Sequence, residues 1–186
     1  MWRGTEGNVL TLAAELLLVA VLPALLVGAA AWDLMSFTIP NIVPAALVLF
    51  FFVFAALVFL SGQDVGLALN VLGWHVAAGF AALVAGMALF AAGYVGGGDA
   101  KLYAAASLWL GWDMFFEYTL FASLLGGALT LALLALRRVP LPAMLHGQAW
   151  LLKLADRHSG VPYGIALATA ALVILPDSGL FRLAAG

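Results

Sequence analysis

The chain has 186 residues, of which 66% are hydrophobic and only 9% charged, with a formal net charge of −2. A mean hydropathy of +1.16 excludes an ordinary soluble domain. No basic run is dense enough to hold nucleic acid, and the absence of cysteine excludes disulfides, thiolate metal sites and a cysteine nucleophile.

A bilayer core of roughly 30 Å takes about 20 helical residues. Apolar runs on this scale lie at 9–31, 41–60, 75–95, 113–136 and 160–176, with a shorter run at 101–112. The pattern predicts an all-α, polytopic bundle of six transmembrane helices, forming one integral-membrane domain over 1–186. The first run ends near Ala29-Ala30-Ala31, which offers small residues for signal cleavage. However, it exceeds the roughly 7–15 residues of a signal core, and Glu6 balances Arg3 before it. It therefore reads as a retained helix, ending at Asp33. Thr38-Ile39-Pro40-Asn41 follows, then Pro44, and these prolines disfavour uninterrupted helix between the first two runs.

Gly79, Gly86 and Gly93 recur every seven residues in the third run and share a predicted helix face with Ala82. Small residues on such a face let helices approach closely. That run leads into Gly96-Gly97-Gly98-Asp99-Ala100-Lys101. Each glycine disfavours helix by up to about 1 kcal/mol relative to alanine. Three in a row point instead to backbone freedom and to close approach of another chain. Broken helix at membrane depth is tolerated where it lines a cavity.

The 101–112 run reaches only about 18 Å as a helix. It is expected to cross nonetheless, since a re-entrant path would move Arg137 and Arg138 to the other face and erase the charge bias. The polar connection 137–158 contains Pro140 and Pro142, then a mixed stretch from Met144 to Arg157 that reads as a surface-lying connector helix. Val161-Pro162-Tyr163-Gly164 opens the last run, with Pro at a first helical turn and Tyr at the interface as the plain reading. Trp32, Trp74, Trp109, Trp112 and Trp150 lie near run ends and read as interface anchors.

Parity places both acids on one face. Asp33 ends the first run, the second crosses back, and Asp99 follows the third. Lys101, Arg137, Arg138, Lys153 and Arg157 fall on that same side, against Arg3 and Arg182 on the other. The positive-inside rule makes the acid face cytoplasmic, with both termini outside.

A carboxylate at membrane depth is a functional hypothesis by default. Two that meet cannot both ionise cheaply, so they share a proton. One member then activates water while the other protonates a carbonyl oxygen or leaving amine. Plain readings stand beside this one. Asp33 also reads as a helix-end marker, Asp99 as a cap of the following helix, and Lys101 as a snorkelling anchor. His75, His146 and His158 lie far apart, Ser36, Ser107 and Ser123 lack a paired base, and the glycine run lacks phosphate-loop spacing. No metal or cofactor is expected.

With Asp33, Ile39-Pro40-Asn41, the segment from Gly96 to Leu102 and Val161-Pro162-Tyr163-Gly164 in this order, the chain resembles the type IV prepilin peptidases. These are membrane aspartic proteases with a Gly-x-Gly-Asp motif. The resemblance implies that Asp33 and Asp99 are the catalytic pair. It also implies that Gly96, Gly97, Gly98, Lys101, Pro40, Asn41, Pro162, Tyr163 and Gly164 shape the substrate site. Its implied partner is a prepilin with an N-terminal leader, cleaved at the cytoplasmic face of the bacterial inner membrane. Leu34-Met35-Ser36-Phe37-Thr38 stands where the family usually has basic residues, and no methyltransferase-like segment is present. The chain thus resembles the compact peptidases of tight-adherence (Flp) pili, and no methyl transfer is expected. The competing reading is a proton-coupled transporter that uses the same two acids.

Overall fold

A computed structural model describes residues 3–61, 65–138, 147–156 and 159–180. Among them, every regular element is helical. Pro140, Pro142, Met144, His146, Arg157, His158 and Arg182, singled out above, lie outside the described residues.

The first pass joins α1 (Arg3–Leu16) and α2 (Leu22–Ser36) through a π turn at Leu17–Val21. Pro23 follows this turn and has no N–H to return to the carbonyl one turn earlier, so the ladder loosens locally. Phe37 ends α2 in the left-handed conformation (φ 60°). α3 (Ile42–Leu60) and α4 (Val65–Ala91) come next. α4 starts ten residues before the expected 75, because Val65 to Trp74 is itself helical and buries Ala68 and Leu72 against the core.

α5 (Gly97–Leu136) contains 40 residues but is not one rod. Gly111 has φ 78° and ψ 178°, and the chain doubles back there. Tyr103 Oη lies 2.6 Å from Thr119 Oγ1, whereas a straight helix would hold these residues about 24 Å apart. The arms 97–110 and 112–136 are therefore antiparallel. An added Cβ on Gly111 would lie 2.6 Å from the His75 ring, so the reversal needs glycine for both dihedral and space.

α6 (Ala149–Ala155) and α7 (Tyr163–Ile174), continued by a 3₁₀ turn at Leu175–Asp177, complete the described elements. Four helical stretches are long and apolar enough to cross a membrane: Val9–Ser36, Ile42–Leu60, Ala68–Ala91 and Gly97–Leu136. Tyr163–Asp177 is a shorter apolar helix. Lipid offers no hydrophobic drive between such helices, so close van der Waals packing must hold them. Gly79 and Gly86 provide it, with Leu108 Cβ at 3.0 Å and Ala100 Cα at 3.1 Å from where their Cβ atoms would stand.

Two expectations are corrected here. Gly93 does not share that packing face: it terminates α4 at φ 78° with open space beside it. Trp109 is not an interface anchor. It is 1% exposed, donates from Nε1 to the Leu47 carbonyl at 2.9 Å and packs edge-on against Phe51. Its arm is short, so a residue near the run end still falls inside the bundle.

Candidate active site

Asp33 sits in the last turn of α2, and Asp99 is the third residue of α5. Each adjoins a chain break, and the breaks meet. The joint is Ile39, 7% exposed, in the link between α2 and α3. A Cβ on Gly98 would lie 3.1 Å from Ile39 Cβ and 3.3 Å from its carbonyl oxygen. A Cβ on Gly164 would lie 2.8 Å from Ile39 Cδ1 and 2.8 Å from Asp33 Oδ2. One isoleucine thus wedges between the residue preceding Asp99 and the residue that touches Asp33. The two carboxyl groups are close enough to interact electrostatically.

Asp33 is 3% exposed, and its Oδ2 accepts a hydrogen bond of 2.7 Å from the Gly164 backbone N–H. The first N–H groups of a helix have no partner within it and carry the positive end of the helix dipole. α7 aims one of them at Asp33. Pro162, fully buried, is the N-cap at which α7 starts. Asp99 is half-buried, and its Oδ2 accepts from the Gly96 N–H at 3.2 Å. This is the acid half of a capping box, so Asp99 does cap α5, and it does so while facing a cavity.

That cavity, of about 240 Å³, lies between α4, both arms of α5 and α7. Tyr163 lies on its wall, packed over Gly126, with its hydroxyl 3.2 Å from Thr130 Oγ1. The ring is thus a contact within the bundle.

Lys101 donates from Nζ to Asn41 Oδ1 at 2.8 Å and so ties the start of α5 to the start of α3. Pro40 stands between Ile39 and Asn41 in this link, its carbonyl accepting from the Val43 N–H at 3.0 Å. A Cβ added at Gly97 would lie 3.4 Å from the Phe90 ring. On the connector, Lys153 donates to the Ser36 carbonyl at 2.8 Å and lies over the Phe37 ring. A cation there complements the negative end of α2. Arg137, 9% exposed, donates to the carbonyls of Leu154 and Gly160. Sequence reading took both cations only as topology markers, whereas Lys153 ties α6 to the end of α2 and Arg137 ties the end of α5 to Leu154 and Gly160. No three His, Cys, Asp or Glu side chains converge as metal ligands among the described residues.

The model of the type IV leader peptidase family matches residues 20–131, well over half of the chain, with both acids inside the match. The chain belongs to the type IV leader peptidase family. No curated protein and no solved structure matches it. The match ends before α7, so Pro162, Tyr163 and Gly164 of this peptidase enter the site on geometry alone. The roles of Ile39, Gly126 and the Gly164 amide were not foreseen. Gly126 and Gly164 stand inside apolar helices where alanine is the better helix former, and that was the signal available in the sequence.

Proposed function

We propose that this chain is a membrane aspartic endopeptidase that removes the leader of type IV, Flp-like prepilins, with Asp33 and Asp99 as its catalytic pair. The observation that carries the reading is the meeting of the two acid-bearing chain breaks at Ile39, with Asp33 held by a backbone N–H of α7 and Asp99 by the backbone N–H of Gly96. An acid pair sharing one proton takes a proton from water with its ionised member. It gives one to the carbonyl oxygen, and later to the leaving amine, with the other.

Six crossings fit this reading. They would be the α1–α2 pass, α3, α4, the two arms of α5 and α7, in turn. The 97–110 arm covers about 21 Å, so the bilayer would be thin at this point. Positive charge at the acid end favours a cytoplasmic site at the inner membrane. A prepilin there would keep its leader in the cytoplasm and its apolar helix beside the bundle. Gly98 lets the Ile39 link pack close to the start of α5 at the level of the acids, where a Cβ would lie 3.1 Å from the Ile39 side chain. Pro40, Asn41, Lys101, Pro162, Tyr163 and Gly164 hold the surrounding links in place.

The test is incubation of purified, membrane-reconstituted chain with a prepilin in the presence of serine-, cysteine- and metal-protease inhibitors. Continued release of the leader is the expected result. Abolition by a chelator or a serine reagent would overturn the aspartic mechanism.

A further inference from the structure

The stretch from Asp33 to Thr38 contains neither glycine nor proline. Leu34 and Met35 are good helix formers, and Pro40 disfavours helix from Ile39 onward. Local sequence would therefore carry α2 on to Thr38. It stops at Ser36 instead, because Phe37 takes the left-handed conformation, φ 60° and ψ 27°. Its N–H closes on the Asp33 carbonyl at 2.7 Å. Helix stops of this kind usually fall to glycine or asparagine. Among the described residues, Phe37 alone has a positive φ without being glycine. A phenylalanine is disfavoured there, so its neighbours must hold it.

The break decides where Ile39 stands. Ile39 Cδ1 and Asp33 Oδ2 both lie 2.8 Å from where a Gly164 Cβ would be, and Ile39 also packs on Gly98. With Phe37 right-handed, α2 would run on and carry Ile39 about 9 Å past Asp33 along the helix axis. The joint between the two acids would then be lost. Local hydrogen bonds hold the break weakly. Ser36 Oγ has one proton for two carbonyls, Trp32 at 2.8 Å and Thr38 at 2.9 Å.

Further support comes from a residue 117 positions away. Lys153 Nζ donates to the Ser36 carbonyl at 2.8 Å and stands 4.9 Å from the centroid of the Phe37 ring. That carbonyl and that ring lie on either side of the N–Cα bond of Phe37. Rotation about this bond swings one against the other, so a cation that holds both restrains φ itself. The lysine is presented from a fixed base. Arg137, at the end of α5, donates to the carbonyl of adjacent Leu154 at 3.0 Å and to that of Gly160 at 2.8 Å.

We infer that Lys153 is a positioning residue for Asp33: it holds Phe37 left-handed, and so keeps α2 broken where Ile39 must turn back between the acids. The inference rests on the peptidase reading above. The plain alternative is a surface tether that contributes little.

The experiment uses the full chain in lipid nanodiscs and measures kcat, KM and the thermal melt with a prepilin substrate. Lys153→Met should lower kcat about 10-fold, equal to about 1.4 kcal/mol, with KM and melt unchanged. Lys153→Arg, which still donates and still stacks on the ring, should restore most of the rate. Arg138→Met, which removes another exposed cation from the end of α5, should cleave like the unmodified chain. In a Phe37→Gly background the left-handed backbone no longer needs holding, so adding Lys153→Met should leave kcat where Phe37→Gly alone puts it. Full activity of Lys153→Met, or the same fall in both backgrounds, would overturn the inference while leaving the peptidase reading standing. So would an inactive Phe37→Gly, which would show that the ring serves the site rather than the backbone it belongs to. A fall in rate matched by loss of folded protein would make Lys153 an ordinary tether and overturn it as well. Failure of the unmodified chain to cleave the prepilin would overturn both readings.

Discussion

A single methyl group added at Gly164 is expected to disable the site without unfolding the bundle. The Gly164 N–H holds Asp33 Oδ2 at 2.7 Å. The new Cβ would stand 2.8 Å from that oxygen, 2.8 Å from Ile39 Cδ1 and 3.1 Å from Asp33 Cβ. Backbone dihedrals are not the obstacle, since this is ordinary helix. Either α7 backs away or the Asp33 side chain turns, and both stretch the hydrogen bond. A hydrogen bond to a charged group contributes about 1.5–3 kcal/mol, and crowding of a packed site adds about 1–3 kcal/mol of strain. Loss of the first alone lowers kcat/KM by about 10- to 150-fold. The assay is the initial rate of prepilin cleavage at matched protein, with a thermal melt in the same detergent. Gly127→Ala, in open space on α5, is the control and should cleave normally. Ile39→Val removes the Cδ1 contact, so the double variant Ile39→Val/Gly164→Ala should recover part of the lost rate. Full activity of Gly164→Ala in a folded chain would refute the claim that α7 positions Asp33.

Other outcomes follow from the same contacts. Gly98→Val should cut cleavage at least 10-fold, because its Cβ would meet the Ile39 backbone and side chain, while Gly73→Ala, in open space, should leave rates unchanged. Gly111→Ala should lower the unfolding midpoint in a detergent denaturation series by roughly 1–3 kcal/mol equivalent, since φ 78° disfavours a side chain and the His75 ring occupies its place. A melt indistinguishable from that of the unmodified chain would contradict the reversal at Gly111. In the cysteine-free background, cysteines at exposed Thr38 and Gln148 should label from the cytoplasm, and those at exposed Asp113 and Asp177 from outside. Labelling of Asp113→Cys from the cytoplasm would show that 97–110 does not cross.

Much of this architecture is written in local pattern. Long apolar runs separated by Pro- and Gly-rich breaks predict a helical membrane protein, and carboxylates at two breaks mark the site. The structure bears out the all-helical character and places the two breaks together. What local pattern does not carry is pairing at a distance. The Gly164–Asp33 bond joins residues 131 positions apart, and nothing near Gly164 announces its partner. Ile39 reads as one more apolar residue until its neighbours are known. Trp109 illustrates the converse error: proximity to a run end says how deep a residue lies along the membrane normal, not whether it faces lipid or bundle. The start of α4 was missed because Asn70 and Gly73 interrupt the hydropathy of a segment that tertiary packing keeps helical. Gly93 was misplaced because its period matched a packing face, whereas its function is to stop the helix.

The central claim is that Asp33 and Asp99 act as one unit on a leader peptide, and mass spectrometry of a prepilin incubated with purified chain tests it most directly. The unmodified chain should yield two products, the leader and the mature pilin, whose masses sum to that of the precursor plus one water. Asp33→Asn and Asp99→Asn, each inserted and folded, should yield neither. Near-normal product from either variant, or no product from the unmodified chain, would contradict the account.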